Sequence, residues 1–248
     1  MPEIKGQRIV LTRSAEDCAP WAERLRSLDA EPVVFPCIES ERIDTVELRV
    51  MVSAQVQAAD WLVFTSRRGV EAFADLYGAA LPPTLRVATV GETTAEAARD
   101  RLGRADLIGR GTGALLGDEL GARLRGASSR GAAPKVVLAL AENAARVLQD
   151  KLEAAGAVCA RFDVYRTVPA PPAVPKQALS ALRSEAIWLA SPTAVTGLLN
   201  RLELDVEARY FTIGPTTSAA VRAAGLPLAA EAREPSLNGF LEAMQCQT

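Results

Sequence analysis

The sequence predicts an α/β protein of two similar lobes, each a doubly wound parallel sheet, generated by internal duplication. Three observations predict it. Four blocks recur in the same order at an offset of roughly 125 residues. Short apolar strands alternate with helices within each repeat, the pattern of parallel sheets covered on both faces. Proline marks the same place in both repeats, after the second strand.

In the first block, Arg8-Ile9-Val10-Leu11-Thr12-Arg13 is a strand leading to a helix over 19–28 and a strand Val33-Val34-Phe35-Pro36. Its counterpart is the strand Val136-Val137-Leu138-Ala139-Leu140, a helix over 144–155 stopped by Gly156, and a strand through Phe162-Asp163-Val164-Tyr165. In the second block, Asp60-Trp61-Leu62-Val63-Phe64-Thr65-Ser66 with a helix over 69–77 matches Ala186-Ile187-Trp188-Leu189-Ala190-Ser191-Pro192 with a helix over 194–202. The third is the clearest: Val87-Ala88-Thr89-Val90-Gly91-Glu92-Thr93-Thr94-Ala95 against Tyr210-Phe211-Thr212-Ile213-Gly214-Pro215-Thr216-Thr217-Ser218. The fourth sets Gly111-Thr112-Gly113 before a helix over 114–124 against Glu234-Pro235-Ser236 before a helix over 237–244. The stretch 125–134, rich in Gly, Ser, Ala and Pro, reads as the loop between repeats. Pro36 and the run Pro169–Pro175 place further breaks inside each repeat.

Composition narrows the function. The chain has 248 residues, 49% hydrophobic and 23% charged, with a net charge of −2. That is an ordinary globular balance and not the basic excess of a nucleic-acid or membrane-surface protein. No apolar run approaches the ~20 residues of a membrane span. The opening residues carry no signal-peptide pattern, so the expected location is the cytosol. Cys18, Cys37, Cys159 and Cys246 lie far apart without CxxC spacing and read as reduced thiols. Histidine is absent. Ser-His-Asp and Cys-His nucleophiles and most zinc sites are thereby excluded, and acid–base chemistry falls to carboxylates, Tyr, Lys, thiols, water or the substrate.

Four loops share one design: an apolar strand, a small or hydroxyl-bearing turn, then a helix. They are Thr65-Ser66-Arg67-Arg68, Gly91-Glu92-Thr93-Thr94, Ser191-Pro192-Thr193 and Gly214-Pro215-Thr216-Thr217. One reading is helix capping. The other is a wall of helix N-termini at the carboxyl ends of parallel strands, where open α/β sheets bind ligands and where free N–H groups suit phosphates or carboxylates. None is a Walker loop, and Gly109-Arg110-Gly111-Thr112-Gly113 lacks GxGxxG spacing, so a nucleotide-dependent transferase is the weakest candidate. Tyr165, one of three tyrosines, stands at a strand end before the Pro-rich run. It is either an amphipathic strand-end aromatic or a phenolic donor for a cleft that has no histidine. Arg13, just past the first strand, is either a surface salt-bridge partner or a contact for an anion.

Leu11-Thr12-Arg13, Phe64-Thr65-Ser66, Val90-Gly91 with Thr93-Thr94-Ala95, Val164-Tyr165-Arg166-Thr167, Ser191-Pro192-Thr193-Ala194-Val195 and Ile213-Gly214-Pro215-Thr216-Thr217 occur in the order found in uroporphyrinogen-III synthases, and the chain resembles that family along its length. The resemblance implies two flavodoxin-like lobes joined by a two-stranded connector. Residues 1–36 would pack with 169–248 and 39–165 would form the other lobe, with connectors at 36–39 and 165–169. The lobes would thus exchange their opening β-α-β units, and Tyr165 would face the cleft between them. It also implies cyclisation and dehydration of hydroxymethylbilane to uroporphyrinogen III with inversion of ring D, by a cytoplasmic monomer that needs no metal or organic cofactor. Tyr165 would be the catalytic donor. Arg13, Ser66, Thr94, Ser191, Thr216 and Thr217 would hold the substrate. Leu140-Ala141 departs from the Arg-Gly common in the family there, and Arg67 with Arg68 makes the neighbouring loop more basic, offering a replacement anion contact. The alternative is a non-catalytic two-lobed binding or sensor protein for a small anionic metabolite.

Overall fold

A computed structural model describes residues 4–127, 132–184 and 186–245. The chain has a mixed α/β fold and divides into two compact units: a terminal unit of residues 1–39 with 168–248, and a central unit of residues 40–167. Cys246 and residues 128–131 of the expected inter-repeat loop lie outside the described residues.

The terminal unit is built on a five-stranded parallel sheet. Its strands are β1 (Arg8–Leu11), β2 (Glu31–Val34), β10 (Ala186–Leu189), β12 (Arg209–Thr212) and β13 (Leu228–Glu231), in the spatial order β13-β12-β10-β1-β2. Ile9 pairs with Ala186 and with Pro32, so β1 is an interior strand with a partner on each side. Helices α1 (Ala15–Arg26), α7 (Pro192–Arg201), α8 (Pro215–Ala223) and α9 (Leu237–Gln245) cover it. One face is closed by Trp188 stacked on Phe240 at 4.5 Å, with Trp21 set edge-on to both. A short pair, β9 (Gln177–Ala178) and β11 (Leu202–Glu203), stands apart from the main sheet.

The central unit has a six-stranded sheet. In chain order its strands are β3 (Ile38–Arg42), β4 (Trp61–Phe64), β5 (Arg86–Thr89), β6 (Leu107–Ile108), β7 (Lys135–Ala141) and β8 (Val158–Pro169), and in space β3-β8-β7-β4-β5-β6. Strand β4 is buried at all four positions, which requires cover on both faces. That cover comes from α2 (Val46–Ala58), α3 (Arg67–Tyr77), α4 (Glu92–Leu102), α5 (Gly113–Ala127) and α6 (Val147–Ala154). Strands β3 and β8 carry the chain from one unit to the other.

Both sheets follow one order. Numbered within the unit, β2-β1-β10-β12-β13 is 2-1-3-4-5, a doubly wound arrangement with its switch point between the first and third strands. In the central unit β8-β7-β4-β5-β6 repeats that order, with β7 and β8 standing where β1 and β2 stand.

Several boundaries differ from the sequence expectation. Helix α1 starts at Ala15, not 19, because the Ser14 hydroxyl accepts from Asp17 N at 3.2 Å and Pro20 is accommodated inside the helix. Helix α6 starts at Val147, not 144, because Arg161 binds the carbonyls of Ala141, Glu142 and Ala144 and holds 142–146 as a turn. Helix α5 runs to Ala127, into the stretch read as loop. Tyr165 is not at a strand end: β8 continues to Pro169.

Burial governs the thiols. It pushes Cys18 and Cys159 up to about 11 and Cys37 up to about 12, from an ordinary 9.0. The native state therefore keeps protons that the unfolded chain releases near pH 9. Stability from this source is complete below pH 9 and is lost as pH rises from 9 through 11 and 12. The urea midpoint should fall between pH 8 and about pH 10, and less steeply in Cys37→Ala. An unchanged slope in that variant would remove the thiol from the account.

Candidate active site

In the central unit the candidate residues lie at the carboxyl ends of β7, β4 and β5, beside the switch point between β7 and β4. The chain leaves β4 through Thr65 and Ser66, and Ser66 caps α3 by accepting from Gly69 N at 3.0 Å. Two strands away, the Tyr165 ring is 8% exposed, packed in the core with Phe64 and Val164. Its hydroxyl lies 2.9 Å from Ser66 Oγ. The two hydroxyls hold two protons and share one bond, with Gly69 N–H already serving Ser66 as donor. Among the described residues, one O–H proton of the pair is thus uncommitted.

Helix α4 begins differently. Gly91 is its N-cap, and no side chain caps the first turn. Thr94 sits in that turn, 5% exposed. Arg67 is paired with Glu71 at 3.5 Å, so the extra basic residue of this loop is engaged within its own helix. Arg161 makes its three carbonyl bonds and an ion pair to Asp163 at 2.9 Å, fixing the turn that follows Leu140-Ala141, the last two residues of β7.

The terminal unit repeats the arrangement at the ends of β1, β10 and β12. Ser191 caps α7 through Ala194 N at 3.1 Å, as Ser66 caps α3. Gly214 opens α8 without a side-chain cap, as Gly91 opens α4. Thr216 is exposed in the first turn of α8. Thr217, one residue further, is 1% exposed, and its Oγ1 has no hydrogen-bond partner among the described residues. A buried hydroxyl in that state costs ~1–3 kcal/mol, a cost that a bound acceptor or donor removes. Arg13, after β1, lies 3.8 Å from Asp17 and over the Trp21 ring at 5.3 Å. Its guanidinium is therefore held in place by side chains of the helix that follows, α1.

The model of the family described as uroporphyrinogen-III synthase HemD matches residues 19–242. The chain belongs to the uroporphyrinogen-III synthase family. The function that goes with this family is the cyclisation step of tetrapyrrole biosynthesis, a lyase reaction. A uroporphyrinogen-III synthase of Synechococcus elongatus is 26% identical over 258 aligned positions, covering 97% of this chain and 95% of that protein. A porphyrin biosynthesis protein HemD of Ruminiclostridium josui is 32% identical over 100 residues, 38% of this chain, and the match spans only 20% of that longer protein. The crystal structure of uroporphyrinogen-III synthetase from Helicobacter pylori has the same fold, with a TM-score of 0.54 at 16% identity, covering 96% of this chain and 97% of that one.

Within this member of the family, the residues singled out from sequence fall into two sets. Ser66, Thr94 and Tyr165 share the carboxyl edge of the central sheet, and Arg13, Ser191, Thr216 and Thr217 that of the terminal sheet. Only Ser66 and Tyr165 are in hydrogen-bond contact among these. Sequence reading missed a buried network beside Thr217: Thr212 Oγ1 and Ser218 Oγ lie 2.6 Å apart, and Ser218 donates to Glu231. The signal available in the sequence was the matched pair of strand-end threonines, Thr89 and Thr212, which the structure buries fully. Among the described residues, no group of three or more His, Cys, Asp or Glu side chains could hold a metal ion, and no helix is long and apolar enough to cross a membrane.

Proposed function

We propose that this synthase closes hydroxymethylbilane to uroporphyrinogen III with inversion of ring D, and that the Ser66–Tyr165 hydroxyl pair assists departure of water. The supporting observation is that pair and its uncommitted proton. Electrons of the terminal pyrrole expel the hydroxyl carbon's oxygen; the C–O bond breaks, and the oxygen leaves as water with a proton supplied through Tyr165. The pyrrole itself drives the step, so the enzyme's work is hydrogen-bond donation and holding the azafulvene in the geometry that leads to ring inversion. The Gly-opened turns of α4 and α8 offer free N–H donors to substrate carboxylates, with Thr94, Thr216 and Thr217 beside them. Ser191 and Arg13 complete the proposed carboxylate contacts.

We further take the duplication to be real: the shared 2-1-3-4-5 order, with β7 and β8 in the place of β1 and β2, supports two copies of one half that exchanged their opening β-α-β units. The proposed lobes are 1–36 with 169–248 and 39–165, and the enzyme is taken as a cytoplasmic monomer working without metal or organic cofactor.

Incubation with freshly prepared hydroxymethylbilane is expected to yield the type III isomer. Exclusive formation of the spontaneous type I isomer overturns the reading. Thr217→Val tests the orphaned hydroxyl separately. Valine keeps the shape and removes the unpaired group, so the protein should gain about 1 kcal/mol of stability in urea while kcat/KM falls about tenfold. A variant that is less stable and fully active would place Thr217 outside the site.

A further inference from the structure

Parallel sheets present their functional loops at the carboxyl ends of the strands, yet the terminal unit also carries a built cavity at the opposite edge. A recess of about 330 Å³ is lined by Gly6, Gln7, Arg8, Arg183, Ala186 and Arg209. Three guanidinium-bearing residues meet there, at or just before the starts of β1, β10 and β12. Helix C-termini gather at this edge and favour cations, which accounts for a basic surface. It does not account for how these cations are left. Among the described residues, neither the Arg183 nor the Arg209 guanidinium has a hydrogen bond or ion pair, apart from the contact of Arg209 with the Phe211 ring at 6.0 Å. Arg8 donates to Glu31 Oε2 at 3.1 Å through Nη1, but its Nε is buried without an acceptor. Arg183 is held in the left-handed region, at φ 49° and ψ 41°, after the turn Leu179–Leu182.

Arg209 also lines a second cavity of about 680 Å³, whose other walls include Leu204, Val206, Tyr210, Leu226 and Pro227. Glu207 is its one carboxylate. Leu204 and Val206 are left 38% and 45% exposed. A cationic recess and an apolar recess thus share one wall, and both volumes lie in the range of small-molecule sites.

We propose that this edge of the terminal unit binds a small amphipathic anion, its carboxylate, sulfonate or phosphate against Arg8, Arg183 and Arg209 and its apolar body against Leu204, Val206, Leu226 and Pro227. The site is separate from the residues proposed for cyclisation, and it stands whether or not that reading does. Two probes of one shape test it on the full chain: 1-anilinonaphthalene-8-sulfonate and its uncharged analogue N-phenyl-1-naphthylamine. The sulfonate should bind saturably at one site and about tenfold more tightly than the neutral probe. In Arg183→Gln/Arg209→Gln, with an unchanged melting temperature and unchanged cyclisation rate, the two probes should bind equally. Equal binding to the unmodified protein, a charge preference that survives the double substitution, or no saturable binding each overturns the proposal. If the double variant melts early, the single Arg183→Gln variant, at an exposed side chain, carries the same comparison.

Discussion

Gly197→Ala is expected to destroy the native terminal unit. Gly197 faces the backbone where the chain crosses into and out of that unit. A Cβ at this position would stand 1.7 Å from the Cys37 carbonyl oxygen, 2.7 Å from its carbon and 3.0 Å from Ala170 N. Those atoms are bonded to each other, Ala170 N to Cys37 O at 2.9 Å, so neither can turn aside without breaking the other's partner. Relief requires α7 to move off the sheet by more than 1 Å, opening the core around Val195, Leu198 and Ile187. Backbone displacement with cavity formation costs about 4 kcal/mol or more, most of the stability of an ordinary domain. Soluble yield and the urea midpoint measure it. Gly214→Ala is the control: its φ of 170° is extended backbone open to any residue, and no atom lies within 4 Å of the new methyl. If Gly197→Ala melts with Gly214→Ala and wild type, the close approach of α7 is wrong.

The second large effect is on rate. Tyr165→Phe should lower kcat about a hundredfold, the scale of one positioned proton donor. It should leave the fold intact, since the phenyl ring still fills the space beside Phe64 and Val164 and only one hydrogen bond, worth about 1 kcal/mol, is lost. KM should change little if the hydroxyl acts on the leaving oxygen and not on the carboxylates. Ser66→Ala should reproduce part of the loss and also cost helix-cap stability, because the same oxygen serves Gly69 N. A Tyr165→Phe enzyme at wild-type rate, still making the type III isomer, removes Tyr165 from the chemistry while leaving the family assignment untouched.

Much of this arrangement was legible in the sequence because strand ends followed by Gly, Ser or Thr have few structural meanings. Ser66 and Ser191 do cap their helices, and Gly91 and Gly214 do open theirs without one. The contact between Ser66 and Tyr165 was not legible. It joins residues 99 apart and depends on β7 lying between β8 and β4, a lateral order that periodicity does not encode. Local signals also misled where a distant side chain decided the outcome. Ala144 begins a helical pattern, but Arg161 takes the Ala144 carbonyl, which the first turn would use. Helix α2 left little trace, since Val46, Val50 and Met51 are exposed and blur its apolar stripe.

The order of the strands sets the order of assembly during synthesis. The central unit is one continuous stretch of chain and needs nothing made after residue 167. The terminal unit is different: Thr12 donates to the Trp188 carbonyl 176 residues away, and β1 pairs with β10. At about 5–20 residues per second, the first β-α-β segment waits on the order of ten seconds or more for its partner strand to leave the ribosome. Through that interval one edge of β1 lacks its partner strand β10, while the chain of the central unit is already complete. Of the two units, the discontinuous terminal one therefore waits longer during translation for its sheet to be completed.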